Sequence, residues 1–154
     1  MPTKTPGATI LTDDFWNRHS NPKSGWTRLL SYPVLVFAVY ARKWPLLGLT
    51  ILYLAVNPVL FPAPEEESGD WMYRGVKAEQ LWISEGRSVM GFGFPQVLNV
   101  AAVPVFLYGL YAAYRRKPVT TVACTVATMA LKLWFVNELI RYRESNADGG
   151  DGAN

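Results

Sequence analysis

The amino-acid sequence predicts an all-α polytopic membrane protein, with four short transmembrane helices arranged as two helical hairpins and an interfacial amphipathic helix between them. Three observations predict it. The 154 residues are half apolar yet only 18% charged, against roughly 25% in soluble domains. The charges are segregated: of fifteen Lys and Arg and twelve Asp and Glu, only Lys132 and Glu138 fall inside a long apolar run. Aromatic residues reach 14%, with six Trp, and such side chains concentrate where one end is dry and the other wet. A mean hydropathy of +0.07 would also suit a soluble chain, so the segregation decides.

The same counts exclude several function classes. A net charge of +3 with no dense basic stripe argues against a nucleic-acid partner. Cys124 is the lone cysteine and His19 the lone histidine, so there is no disulfide framework and no Cys or His metal cluster. Only an all-carboxylate site stays open by count, and no cofactor is predicted. The N-terminus has one Lys and no apolar core of signal-peptide length, so the spans themselves do the targeting, to the cell membrane. Membrane lipids are the expected partners, and other copies of the chain a second candidate.

In order along the chain, residues 1–12 carry two Pro, a Gly and several Thr without periodicity and read as a flexible tail. A short helix starts with Thr12 as N-cap and Asp13 and Asp14 in the first turn. Asn21-Pro22 ends it, because the residue before Pro is pushed out of helical geometry. The stretch Phe15 to Arg28, F-W-N-R-H-S-N-P-K-S-G-W-T-R, reads as a docking segment at a membrane surface. Ser24-Gly25 then caps a first span over 27–42, built on the thirteen uncharged residues Leu29 to Ala41.

Arg42-Lys43-Trp44-Pro45 punctuates, and a second span covers 44–61 before the prolines of N-P-V-L-F-P-A-P stop it. Each run sits at the short end of what crosses ~30 Å of hydrocarbon; a spanning hairpin is favoured, and a shallow re-entrant pair is the alternative. Across 70–89 the periodicity is helical, with Trp71, Met72, Gly75, Val76, Trp82 and Ile83 on one face and Arg74, Lys77, Gln80 and Ser84 opposite. That is an interfacial helix, too charged to span, and Glu79 falls on its apolar face.

Gly91 to Pro95 reads as a turn. Val97 to Tyr114 is uncharged and gives a third span, with Pro104 expected to kink it and Ala102, Gly109 and Ala113 forming a small-residue packing face. Arg115-Arg116-Lys117-Pro118 ends it, 119–140 forms the last span, and 141–154 reads as a disordered polar tail. The two basic, Pro-containing turns share one side of the membrane, and the docking segment, amphipathic helix and C-terminus share the other. Nine Lys and Arg on the terminal side oppose five on the turn side, so the count leans towards cytoplasmic termini, while the tight placement of the five leans the other way.

Lys132 is the sharpest anomaly, because it lies roughly 13 Å along a helix from Arg141 and a charge there costs about 2.5–3.5 kcal/mol. Thr121, Thr125, Thr128 and Lys132 follow at helical spacing and form one polar stripe. The functional reading is a polar pathway or ligand pocket. The plainer one is a snorkelling lysine with threonines bonded to their own backbone. Glu79 among apolar neighbours must be neutral or paired, with Arg18, His19 or Arg28 in reach. A structural ion pair between interfacial segments competes there with a protonatable site carboxylate. His19, with Arg18, Lys23 and Arg28, is either a base or phosphate ligand or a headgroup anchor. Glu138 with Arg141 is read as a span-end pair, and Asn57-Pro58 does not make a water-channel half-helix.

The motifs at 15–28, Y-A-R-K-W-P at 40–45, N-P-V-L-F-P-A-P at 57–64 and W-M-Y-R-G-V-K-A-E-Q-L-W at 71–82 resemble a family of small archaeal and bacterial membrane proteins defined only as a domain of unknown function. The resemblance covers roughly residues 13–140, and it departs at Ala78, where Gly is expected. It implies four spans and brings no activity. The resulting expectation is a non-enzymatic structural, lipid-interacting or assembly protein. The alternative is a carrier or membrane enzyme with a polar site drawn from Arg18, His19, Arg28, Glu79, Thr125, Thr128 and Lys132.

Overall fold

The computed structural model describes residues 13–150, with side chains to 148. The predicted tail 1–12 with its Thr12 cap, and residues 151–154, lie outside the described residues. Six helices and no strand occur among the described residues: α1 (Asp13–His19), α2 (Pro22–Tyr40), α3 (Trp44–Leu60), α4 (Trp71–Ser84), α5 (Gln96–Tyr114) and α6 (Pro118–Gly150). By length and composition, α5 and α6 are the two helices able to cross a membrane. The 17-residue α3 is apolar but shorter, and α2 carries Lys23 and Arg28 near its start. Length and composition therefore single out two helices where the sequence pattern predicted four.

Two helical hairpins form, α2 with α3 and α5 with α6, and α2 joins them by packing on α5. Their turns are built alike. Arg42 and Arg116 both take left-handed backbone, with φ of 56° and 53°. In each turn the next two amides fold back on the helix end: Arg42 N donates to Val39 O at 3.1 Å and Lys43 N to Ala38 O at 2.8 Å, while Arg116 N donates to Ala113 O and Lys117 N to Ala112 O, both at 2.9 Å. This is the Schellman termination, followed each time by a proline in the first turn of the next helix. The Arg42 guanidinium lies 5.4 Å from the Tyr114 ring centroid, so both turns sit at one end of the bundle, as their composition predicted.

The other end holds α1, α4 and the extension of α6. Here Ala78, Trp82, Leu98, Phe135, Leu139 and Ile140 form the apolar core. Ala78 is fully buried in it, so the close packing expected of a Gly at that position is achieved with Ala. The face of α4 departs from the wheel in one respect, since Ile83 is exposed and Tyr73 buried; α4 is packed by α6 on one side and by α1 and α2 on another. It also ends at Ser84 rather than 89, because left-handed Gly86 terminates it.

Two further expectations are corrected, and the packing of a third segment is defined. The cap of α2 is Asn21, whose side chain accepts from Lys23 N at 2.9 Å with Pro22 opening the helix; Ser24 instead donates to Asn57. The tail from 141 is helical to Gly150, because Tyr142 packs edge-on to Trp82 at 4.9 Å and donates to Glu85 at 2.6 Å. The docking segment folds onto the protein itself, with Trp16, His19 and Ser20 buried and Asn21 donating to Pro62 O at 3.0 Å. The Glu138–Arg141 pair forms as expected, at 3.4 Å, and Gly109 lets α5 approach Cys124 of α6 so closely that a Cβ would lie 2.9 Å from it.

Candidate functional site

All six helices line one cavity of about 560 Å³, within the range typical of small-molecule sites. Five of the seven candidate residues face it: His19 from α1, Arg28 from α2, Glu79 from α4, and Thr128 and Lys132 from α6. Arg18 is not among them, because it turns outward to Asp14 at 3.1 Å. Thr125 is not either; it lines a separate cleft between α2 and α6 and donates to Thr121 O at 2.8 Å.

The remaining walls are apolar, including Leu29, Leu54, Met72, Val103, Phe106 and Met129. Gly25 is required at one wall, since a Cβ there would sit 2.0 Å from Met72 Cγ. Helices α2 and α4 could not otherwise bring Arg28 and Glu79 to the same space.

The His19 ring is clamped between Phe15, stacked at 5.5 Å, and Trp16, edge-on at 6.0 Å. Arg28 Nη1 lies 3.2 Å from Nε2 and 3.4 Å from Nδ1. Burial first, and the Arg28 charge second, push the imidazole down to about 4, so His19 is neutral at pH 7 and serves as an acceptor for the guanidinium. It does not add a third cation.

Glu79 makes no hydrogen bond or ion pair among the described residues. Burial raises its carboxyl above the ordinary range, while the fields of Arg28 and Lys132 act the other way. The two cations are felt across the cavity rather than by contact. Lys132 Nζ donates to Asn99 Oδ1, and Asn99 is oriented by its own donation to Val89 O at 3.0 Å. The direct partner of Lys132 is thus a neutral amide.

Two hydroxyls complete the lining. Tyr32 Oη and Thr128 Oγ1 are buried among residues that line this cavity, and the two hydroxyls interact with each other. Together they turn a polar edge, one from α2 and one from α6, toward the hollow. Sequence reasoning missed Tyr32 and Asn99. Both lie in apolar runs of helices other than α6, and only the packing of α2 and α5 against α6 brings them to the threonine–lysine stripe.

The arrangement offers two fixed cations, one carboxyl with a raised proton affinity, a pair of neighbouring hydroxyls and an apolar remainder. It can hold and orient a charged group, and Glu79 can take up or release a proton beside it. No curated protein and no solved structure matches the chain. A family model matches residues 3–153, nearly the whole length, and the chain belongs to that family of unknown function, DUF6653.

Proposed function

We propose that this protein is a four-span membrane protein that binds a small anionic, partly apolar molecule in the cavity between its hairpins. The observation that carries the binding reading is that Arg28, Glu79 and Lys132 face one hollow without pairing with each other. With His19 neutral, the cations outnumber the carboxylate whether or not Glu79 is ionised. An anionic headgroup between Arg28 and Lys132 offsets that excess, with Tyr32 and Thr128 as further donors and the apolar wall taking the rest of the ligand. Binding rather than turnover is favoured, because among the described residues the cavity hydroxyls pair with each other and neither is hydrogen-bonded to His19 or Glu79.

Inverted polarity supports membrane placement of the shorter α3. The buried residues of α3 are Thr50 and Asn57, while Leu49, Leu52 and Leu60 are 67%, 61% and 52% exposed. A continuous apolar exterior of that kind is what lipid covers. Four spans place both basic turns on one side. In a Cys124→Ser background, cysteines replacing Lys43 and Lys117 would react with an impermeant maleimide from one side of sealed vesicles, and those replacing Ser88 and Ser145 from the other.

Native mass spectrometry of the protein released from lipid nanodiscs tests the ligand. The expected result is a defined small-molecule adduct in wild type that is lost in Lys132→Met and Arg28→Gln. A folded wild type carrying no adduct, or one indifferent to both substitutions, refutes the binding reading and leaves a structural membrane module.

A further inference from the structure

A second hollow opens toward the turn end of the bundle and shares only Met129 with the inner cavity. Between α2 and α6 runs an apolar cleft of about 470 Å³, walled by Pro33, Phe37 and Tyr40 on one side and Thr121, Val122 and Val126 on the other. Both threonine hydroxyls of its α6 wall are spent on their own helix, Thr121 on Lys117 O at 2.7 Å and Thr125 on Thr121 O at 2.8 Å, so the cleft presents no free hydroxyl from them. Its α6 wall extends from Pro118 to Met129, roughly 16 Å at ~1.5 Å per residue, about half of a ~30 Å hydrocarbon layer. The cleft is therefore one leaflet deep.

Its mouth is strongly cationic. The two turns that meet there carry Arg42, Lys43, Arg115, Arg116 and Lys117, all exposed. The chain has no Asp or Glu between residues 15 and 64 or between 86 and 137, so no carboxylate of either hairpin neutralises them. Lys43 Nζ sits 5.5 Å from the ring of Phe37, which itself walls the cleft. The cations and the groove are thus continuous.

We infer that this cleft and the two basic turns form a binding site for one anionic phospholipid, its acyl chain lying along α2 and α6 and its phosphate held by the turn cations. Charge complementarity selects the headgroup, and the leaflet-deep apolar groove selects an acyl chain over a soluble anion. The inference rests on the four-span reading above but not on the ligand of the inner cavity.

The test uses the full chain in vesicles of equimolar phosphatidylcholine and phosphatidylglycerol, followed by native mass spectrometry of the released protein. Wild type is expected to retain phosphatidylglycerol in preference to phosphatidylcholine. Each cation replaced by Gln among Arg42, Arg116 and Lys117 is expected to cut that preference about fivefold. Val122→Trp, at a side chain 63% exposed and so tolerated by the fold, fills the cleft and is expected to abolish retention with every cation in place; Val126→Trp repeats the test one turn on. Equal retention of the two lipids by wild type overturns the proposal. So does retention that survives both Trp variants, or a homodimer lost in Val122→Trp, which would make a second copy the occupant. Failure of the wild type to float with neutral phosphatidylcholine vesicles would instead overturn the membrane reading itself.

Discussion

Asn57→Leu tests whether the first hairpin is held as described. Asn57 is fully buried and its amide is saturated: Oδ1 accepts from Ser24 Oγ at 2.8 Å, and Nδ2 donates to Thr27 Oγ1 and Tyr53 Oη, each at 3.1 Å. Leucine keeps the branched shape but is larger, so no cavity opens, three hydrogen bonds are lost and any overpacking adds to the cost. No hydroxyl donor of α2 is orphaned, because Ser24 keeps Asn57 O at 3.2 Å and Thr27 keeps Lys23 O at 2.6 Å. At about 0.6–1 kcal/mol for each bond, the range between helices in lipid and in soluble folds, the expected cost is about 2–3 kcal/mol. Unfolding in mixed micelles, followed by tryptophan fluorescence, reads it. Adding Ser24→Ala should cost less than the sum of the two single changes, since both act on one bond. A loss under about 0.5 kcal/mol, or a strictly additive double variant, would mean that α2 and α3 do not pack through Asn57.

Two further expectations concern pH and the C-terminal extension. His19 is depressed to about 4 when folded and titrates near 6.5 when unfolded. The unfolded chain therefore binds the proton first, and stability is lost as pH falls from about 6.5 to about 4, by about 3 kcal/mol from this group alone. Glu79 works in the opposite sense, because its raised carboxyl loses stability as pH rises above the ordinary carboxyl range. Comparing wild type with His19→Gln isolates the histidine; thermal melting curves that stay parallel from pH 7 to 4 would contradict its buried, neutral state. Truncation after Arg141 removes the Tyr142 ring from Trp82 and its bond to Glu85. It should cost about 2 kcal/mol, measured by the same unfolding assay, and an unchanged midpoint would restore the disordered tail that composition suggested.

The hairpins were legible in the sequence because their signals are local. A run of uncharged residues, then Arg and Lys, then Pro, names a helix, a left-handed cap and a restart within a few positions, and both turns obey it. The site was legible in part for a different reason. Lys132 and Glu79 violate the pattern of the helices that carry them, and a charge on an apolar face has to be answered by the fold. Thr125 and Thr128 shared a stripe in sequence but were divided by packing, since α2 meets α6 between two hollows and one threonine faces each. Arg18 was lost to Asp14, a partner one turn away that competes with any distant site. Tyr32, Asn99 and Asn57 carry no local signal, as each is a single polar residue in an apolar run whose partner lies on another helix. The helical extension beyond Arg141 was hidden because Gly and Asp at its end suggest disorder, while the contacts that hold it, Tyr142 on Trp82 and Glu144 with Arg74, come from α4.

The most direct test of the account is the thermal stability of purified protein in neutral detergent with octyl phosphate, octylammonium or octanol at equal concentration, for wild type, Arg28→Gln and Lys132→Met. With Val122→Trp filling the outer cleft in every variant, octyl phosphate alone is expected to raise the melting temperature, and either substitution to remove most of the shift. A shift as large with octanol or octylammonium, or one with octyl phosphate that persists when both cations are replaced, would contradict the claim that Arg28 and Lys132 form an anion site.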